Sequence, residues 1–203
     1  MKDIDHIQNT LAFIDSEIVN LVGPGDYRTR VFCALSDVAM EHGKSIYTLI
    51  RQELYSSAYA LVRAMFESGV RSLWVSRCAT EKELEVYIEK DTIKKLNMRE
   101  MTAIVDETYK MNGRLIKVHG DVWSEMNSFT HGGILQVRKR LNDGVVTPDW
   151  SEQSESHLCQ LIALMLLVLY TEVLVVTKPL DQEQQEATLN ELLRCVFPAA
   201  KES

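Results

Sequence analysis

The stretch "LVRAMFESGVRSLWV", Leu61 to Val75, sets the fold class and poses the functional question. Its charges, Arg63, Glu67 and Arg71, stand four residues apart, the repeat of one helix face rather than the period of two that marks a strand. At about 100° per residue the three fall within about 80° of arc, with Trp74 between them. Leu61, Val62, Met65, Phe66, Val70, Leu73 and Val75 occupy the rest of the circumference. The stretch therefore predicts a helix that is apolar on most sides and carries one charged ladder.

Three readings of the ladder stand open at this stage. It can face water, where each i,i+4 pair adds only about 0.2–0.5 kcal/mol. It can be a buried ionic network that fixes helix packing, which needs partners from other helices, with Asp37, Glu41 and His131 as candidates. Or it can line a pocket, where unlike charges in a cleft hold an anion or shift pKa values.

The same periodicity runs outward in both directions. Ile4, Ile7, Leu11, Ile14, Ile18 and Leu21 form an apolar stripe stopped by "GPG" at Gly23 to Gly25. From Tyr27 to about Leu54, a second helix is expected to face inward through Val31, Leu35, Val38, His42, Ile46 and Leu49. Ser56 or Ser57 is the expected cap of the ladder helix. Thr80 with Glu83 reads as a capping box opening one or two charged surface helices.

Gly113 and Gly120 bracket "RLIKVH", read as too short for a rigid helix, and Asp121 is the expected cap of the next one. That helix carries Trp123, Met126 and Phe129 or Thr130 inward and ends at Gly132. "LNDGVVTPDW" reads as a loop. "LIALMLLVLYTEVLVV", Leu161 to Val176, has 16 residues and contains Glu172, short of the about 20 a membrane span requires. It reads as a core helix touched on most faces and ended by Pro179, followed by an amphipathic helix over "DQEQQEATLNELLRCVF". No useful alternation and no internal repeat appears. The expected fold is a single all-α domain over residues 1–203, a bundle of six to eight helices.

Composition narrows the function classes. Of 203 residues, 46% are hydrophobic and 25% charged, enough apolar sequence for a packed core. The net charge of −7 repels phosphate backbones overall, so RNA is possible but not a favoured partner. Lys94–Lys95 and Arg138–Arg140 are short and read as solvated. The four cysteines show no C-x-x-C pair and predict reduced, buried thiols in a cytoplasmic protein, and the charged N-terminus predicts no secretory signal.

"EMNSFTHGG", Glu125 to Gly133, holds the second candidate. His131 falls at a helix C-terminus with Gly132 placed to reverse the chain, and Asn127 lies one turn earlier on the same side. Together, "SAYALVRAMFESGVRSLWV", "W..MNSFTHGG" and "LQVRKR" resemble a family of uncharacterised bacterial all-helical proteins, over roughly residues 30–178. That family has an Arg, Glu and Trp helix and a Thr-His-Gly-Gly segment. More distantly the chain resembles the HEPN and abortive-infection groups, in which an R-x(4-6)-H motif cleaves RNA across a dimer.

That distant resemblance implies Arg114 and His119, the chain's R-x4-H, as the catalytic pair of a ribonuclease. A chain with 11 arginines and five histidines yields about one such match by chance. Leu115 also departs from the polar residue usual after the arginine. No zinc-protease, dinucleotide, P-loop or serine-hydrolase motif is present, and Glu41, His42, Glu67 and His131 contain no E-x-x-H pair. The sequence thus predicts a non-catalytic binding or regulatory module, with no metal or cofactor, in a bacterial defence or stress system. Its expected binding residues are Arg63, Glu67, Arg71, Trp74, Asn127 and His131. Expected partners are a second copy in a homodimer and an unknown protein or small molecule, with no membrane; the rival is a HEPN-like nuclease. An interaction module should expose an apolar patch, whereas a nuclease should expose a histidine beside an arginine in a basic groove.

Overall fold

The computed structural model describes residues 7–14, 25–90, 96–142, 145–146 and 149–177, with 181, 183–184, 186–188 and 190. Among them the chain is helical nearly throughout. Helix α1 comprises residues 7–14. There follow α2 (Tyr27–Arg51), α3 (Tyr55–Arg77), α4 (Glu81–Lys90), α5 (Met98–Thr108), α6 (Arg114–Thr130), α7 (Ile134–Arg138) and α8 (Glu152–Thr177). An antiparallel ladder of β1 (Leu141–Asn142) and β2 (Val145–Val146) lies between α7 and α8. The all-α bundle expected from periodicity is the fold. The second half of the first expected helix and most of the last lie outside the described residues.

The ladder helix α3 is the hub, packed against α2, α5, α6 and α8. Val62, Phe66, Val70, Leu73, Trp74 and Val75 are each 3% exposed or less. Its start differs from expectation: Leu54 is the N-cap and no side chain caps it. The turn before it supplies the bonds instead. Leu54 N–H donates to Leu49 C=O and Glu53 N–H to Ile50 C=O, the Schellman pattern, with Glu53 in the left-handed region at φ 58°.

α2 presents a different face from the one its larger apolar residues suggest. Phe32, Ser36, Ala39, Met40, Gly43, Ile46 and Ile50 are buried, while Val38 is 42% exposed. The small side chains let α8 approach closely: a Cβ on Gly43 would lie 3.3 Å from Leu166 Cδ2. Close approach outweighs side-chain hydrophobicity in choosing the contact face.

α8 is the expected core helix. Leu158–Thr177 is, among the described residues, the one helix long and apolar enough to cross a membrane. Here it packs Ile162, Leu166, Leu169 and Tyr170 into the core, though Leu164 and Val175 remain 43% and 42% exposed, so one side is open. Glu172, 3% exposed, accepts from Ser76 Oγ (2.6 Å) and from Arg77 Nε and Nη2 (2.7 and 2.6 Å). That pairing pushes the Arg77 guanidinium pKa up and locks α8 to α3.

α4 opens on the expected capping box, Thr80 N–H to Glu83 (2.8 Å) and Glu83 N–H to Thr80 Oγ1 (3.3 Å). α5 is more than a surface helix, since it buries Met101, Thr102, Val105 and Asp106.

The reading of "RLIKVH" is corrected. It forms the first turns of α6, which runs through Gly120 without a break. The cap comes from a different helix: Asp106 of α5 accepts the N–H groups of Gly113 (2.6 Å), Leu115 (2.7 Å) and Ile116 (3.2 Å). Three amides that α6 cannot satisfy itself are thereby paired by one buried carboxylate. The loop expectation for "LNDGVVTPDW" is also corrected, because Leu141 pairs with Val146 and Asn142 with Val145. An Asp-Gly between aliphatic residues is the sequence signal for that hairpin.

Candidate functional site

α3 presents the ladder where α4, α5 and α6 do not close over it. Glu67 accepts from Arg63 Nε (2.7 Å) and from Arg71 Nη2 (3.0 Å), so one carboxylate holds two guanidiniums on consecutive turns. The side chains of Arg63, Glu67 and Arg71 are 25%, 18% and 35% exposed, neither free in water nor sealed in the core. They form one wall of a cavity of about 460 Å³, closed by Tyr87, Leu96, Met98, Met101 and Trp123. A partly screened pair is worth more than a surface pair and less than a sealed one.

His131 joins the ladder. As the C-cap of α6 it is exposed, and its Nε2 accepts from Arg63 Nη1 at 2.5 Å. Gly132, at φ 67°, turns the chain away as expected. The "THGG" turn and the ladder are therefore in contact. Arg63 also lies over the Trp123 ring, 5.1 Å from its centroid, and is fixed on three sides by Glu67, His131 and the indole.

Other expected residues are placed elsewhere. Trp74 is 1% exposed and meets Tyr87 edge-on at 6.4 Å, so it supports the cavity wall from behind without lining it. Asn127 offers its backbone carbonyl to the His131 amide, and its side chain does not line the cavity. Asp37 and Glu41 are exposed on α2 and take no part in the ladder. Among the described residues no group of three His, Cys, Asp or Glu side chains could hold a metal ion.

The R-x4-H residues are not assembled within the chain. Arg114 is exposed at the start of α6, whereas His119 is 5% exposed and five residues on, about 140° around the helix. His119 stacks on Trp123 at 4.6 Å and lies 6.0 Å from the Phe66 ring, and its Nε2 is buried with no partner among the described residues. Burial, then Arg99, pushes its pKa down and keeps it neutral.

Tyr87, Met98 and Met101 were not singled out from the sequence, and Trp123 was read there as an inward-facing residue of its helix but not as part of the site. For Trp123 a signal exists. His119, Trp123, Asn127 and His131 are spaced by four and share one stripe of α6, so the candidate His131 pointed back to it.

On the far side of α6, α7 with Lys139, Asp149 and Trp150 borders a second cavity of about 770 Å³, and α7, β1, β2 and Trp150 together make a strap beside it. Trp150 anchors the strap, stacked on Tyr59 at 5.1 Å and near Phe129 at 5.8 Å. Leu135 N–H donates to Ser128 Oγ (3.2 Å), Gln136 Nε2 to Phe129 C=O, and Arg140 to Ser56 Oγ (3.1 Å). Lys139 lies over the Trp150 ring at 5.5 Å. Tyr55, beside Trp150, donates to Glu155, and burial first, then that bond, pushes its pKa up to about 12. Outward, the strap leaves Ile134, Val137, Leu141, Val145 and Val146 between 45% and 73% exposed.

No curated protein and no solved structure matches the chain. One family does, over residues 36–192, a span that contains the ladder, the "THGG" turn, the strap and all of α8. The chain belongs to that family, a family of unknown function designated DUF6988.

Proposed function

We propose that this protein is a non-catalytic helical binding module that assembles with a second copy of itself through the strap. The observation that carries the reading is the group of five exposed aliphatic side chains, Ile134 to Val146, on one short segment. Scattered exposed apolar residues are ordinary, but five so close in sequence, with Leu141 and Val146 paired across the β ladder, support an interaction surface. Full burial of such a side chain is worth about 1.5–3 kcal/mol, and these are already partly covered. At about 1 kcal/mol each, a symmetric contact gains about 10 kcal/mol from both copies, against an association cost of about 4–15. The favourable end of that balance, about 6 kcal/mol net, corresponds to a Kd of tens of micromolar, to which pairing of the charges beside the strap adds.

Charge supports a second copy as the occupant. Arg138 is exposed on the strap without an ion pair among the described residues. Asp121 and Glu125, four apart on α6, are exposed and line the same cavity as Arg138, with no ion pair to it among the described residues. In a two-fold contact the strap of each copy meets the α6 rim of the other, so both sets are paired at once. Arg138→Glu should convert a dimer to monomer by light scattering after gel filtration, and adding Asp121→Lys with Glu125→Lys should restore it. Failure of the reversed charges to restore the dimer refutes this arrangement.

Ribonuclease action across such a dimer is the reading the HEPN resemblance implies, and the geometry does not favour it. His119 would have to leave its stacked position between Phe66 and Trp123 to reach a substrate. A place in a bacterial defence or stress system rests on the resemblance alone.

A further inference from the structure

We infer that the ladder cavity is a binding site for a small organic oxyanion, a phosphate monoester or carboxylate on a compact apolar body. Each guanidinium carries five N–H donors. Arg63 directs two of them at Glu67 and His131, and Arg71 directs one at Glu67. The remaining donors have no protein acceptor among the described residues, yet both side chains line the cavity. Glu67 neutralises one of the two charges, so the wall keeps a net positive charge.

What Glu67 does is positional. By taking one edge of each planar fork it fixes the orientation of both, which lowers the ordering cost of receiving an anion. A flexible lysine pair would not give the same preorganisation. Beside the charged ladder the cavity is lined by Tyr87, Leu96, Met98 and Met101, which offer a smaller apolar surface to the body of the ligand. The Trp123 ring is held by His119, stacked on it, and by the Arg63 guanidinium over it, so the indole is a fixed side of the cavity. A volume of about 460 Å³ admits a ligand of single-ring size.

The cavity and the strap lie on opposite sides of α6, so this site stands or falls independently of the dimer.

Titration calorimetry with phenyl phosphate at low salt tests the inference, with benzyl alcohol as the uncharged counterpart. The parent should bind phenyl phosphate with a Kd below about 1 mM and benzyl alcohol not at all. Arg71→Gln, which removes a guanidinium bonded only to Glu67, should weaken binding about tenfold or more while the circular dichroism spectrum stays that of the folded parent. Arg71→Lys should fall between the two, since it keeps the charge and loses the fork. Absence of binding by the parent, equal binding of the alcohol, or an unchanged affinity in a folded Arg71→Gln protein would each overturn the assignment.

Discussion

Replacing Glu67 by Gln separates the three readings that the ladder allowed in the sequence. The carboxylate accepts one charge-assisted bond from each neighbouring arginine, at 2.7 and 3.0 Å. Two solvated i,i+4 pairs would together be worth about 0.6–1 kcal/mol. Breaking a fully buried ionic network costs about 3–5. With Glu67 18% exposed and its partners 25% and 35% exposed, screening is partial, and the loss should be about 2 kcal/mol. The assay is urea unfolding followed by circular dichroism, with the slope m unchanged so that the shift in midpoint reports stability. A loss of 3–5 kcal/mol would mean a sealed network with no usable cavity. A loss of about 1 or less would mean a ladder free in water, and either result refutes the account of a fixed, half-buried wall.

Two further outcomes follow from buried groups outside the cavity. Glu172→Gln removes a buried carboxylate that accepts from Ser76 and bidentately from Arg77, whose own side chain is 44% exposed, and should cost about 1–3 kcal/mol in the same assay; a loss of about 5 or more would show that Arg77 is sealed from water. His119 has a pKa held below its unfolded value of about 6.5. The unfolded chain therefore takes up the proton first as pH falls, so this contribution is complete above about pH 6.5 and is lost below it. His119→Phe, which keeps the stacking on Trp123, should flatten the loss of urea midpoint between pH 7 and 5. An identical pH dependence in parent and variant would show that His119 is not the group responsible.

Much of the helical order was legible because it is written in local periods. The ladder, the capping box at Thr80 and Glu83, the glycine after His131 and the core character of Leu161–Val176 each depend on residues within one or two turns. What failed depends on distance. Asp106 caps α6 from another helix, seven or more residues before the amides it binds, so Gly113 and Gly120 looked like stops. Trp74 projects onto the ladder's arc, but Tyr87 of α4 covers it. The α2 contact face was chosen by Ala39 and Gly43, residues too small to register in a search for large apolar side chains. For the strap the local Asp143–Gly144 signal was present, yet only the fold shows that its aliphatic residues face outward. The cavity itself needed three helices to be placed around α3, which no single stretch encodes.

Sedimentation equilibrium of the unmodified protein from about 1 to 200 µM tests the central claim most directly, because a module built to pair through the strap must pair on its own. The account predicts a rise from the monomer mass of 23.2 kDa toward twice that value, with a midpoint in the micromolar range. A mass that stays at the monomer value up to 200 µM would contradict it.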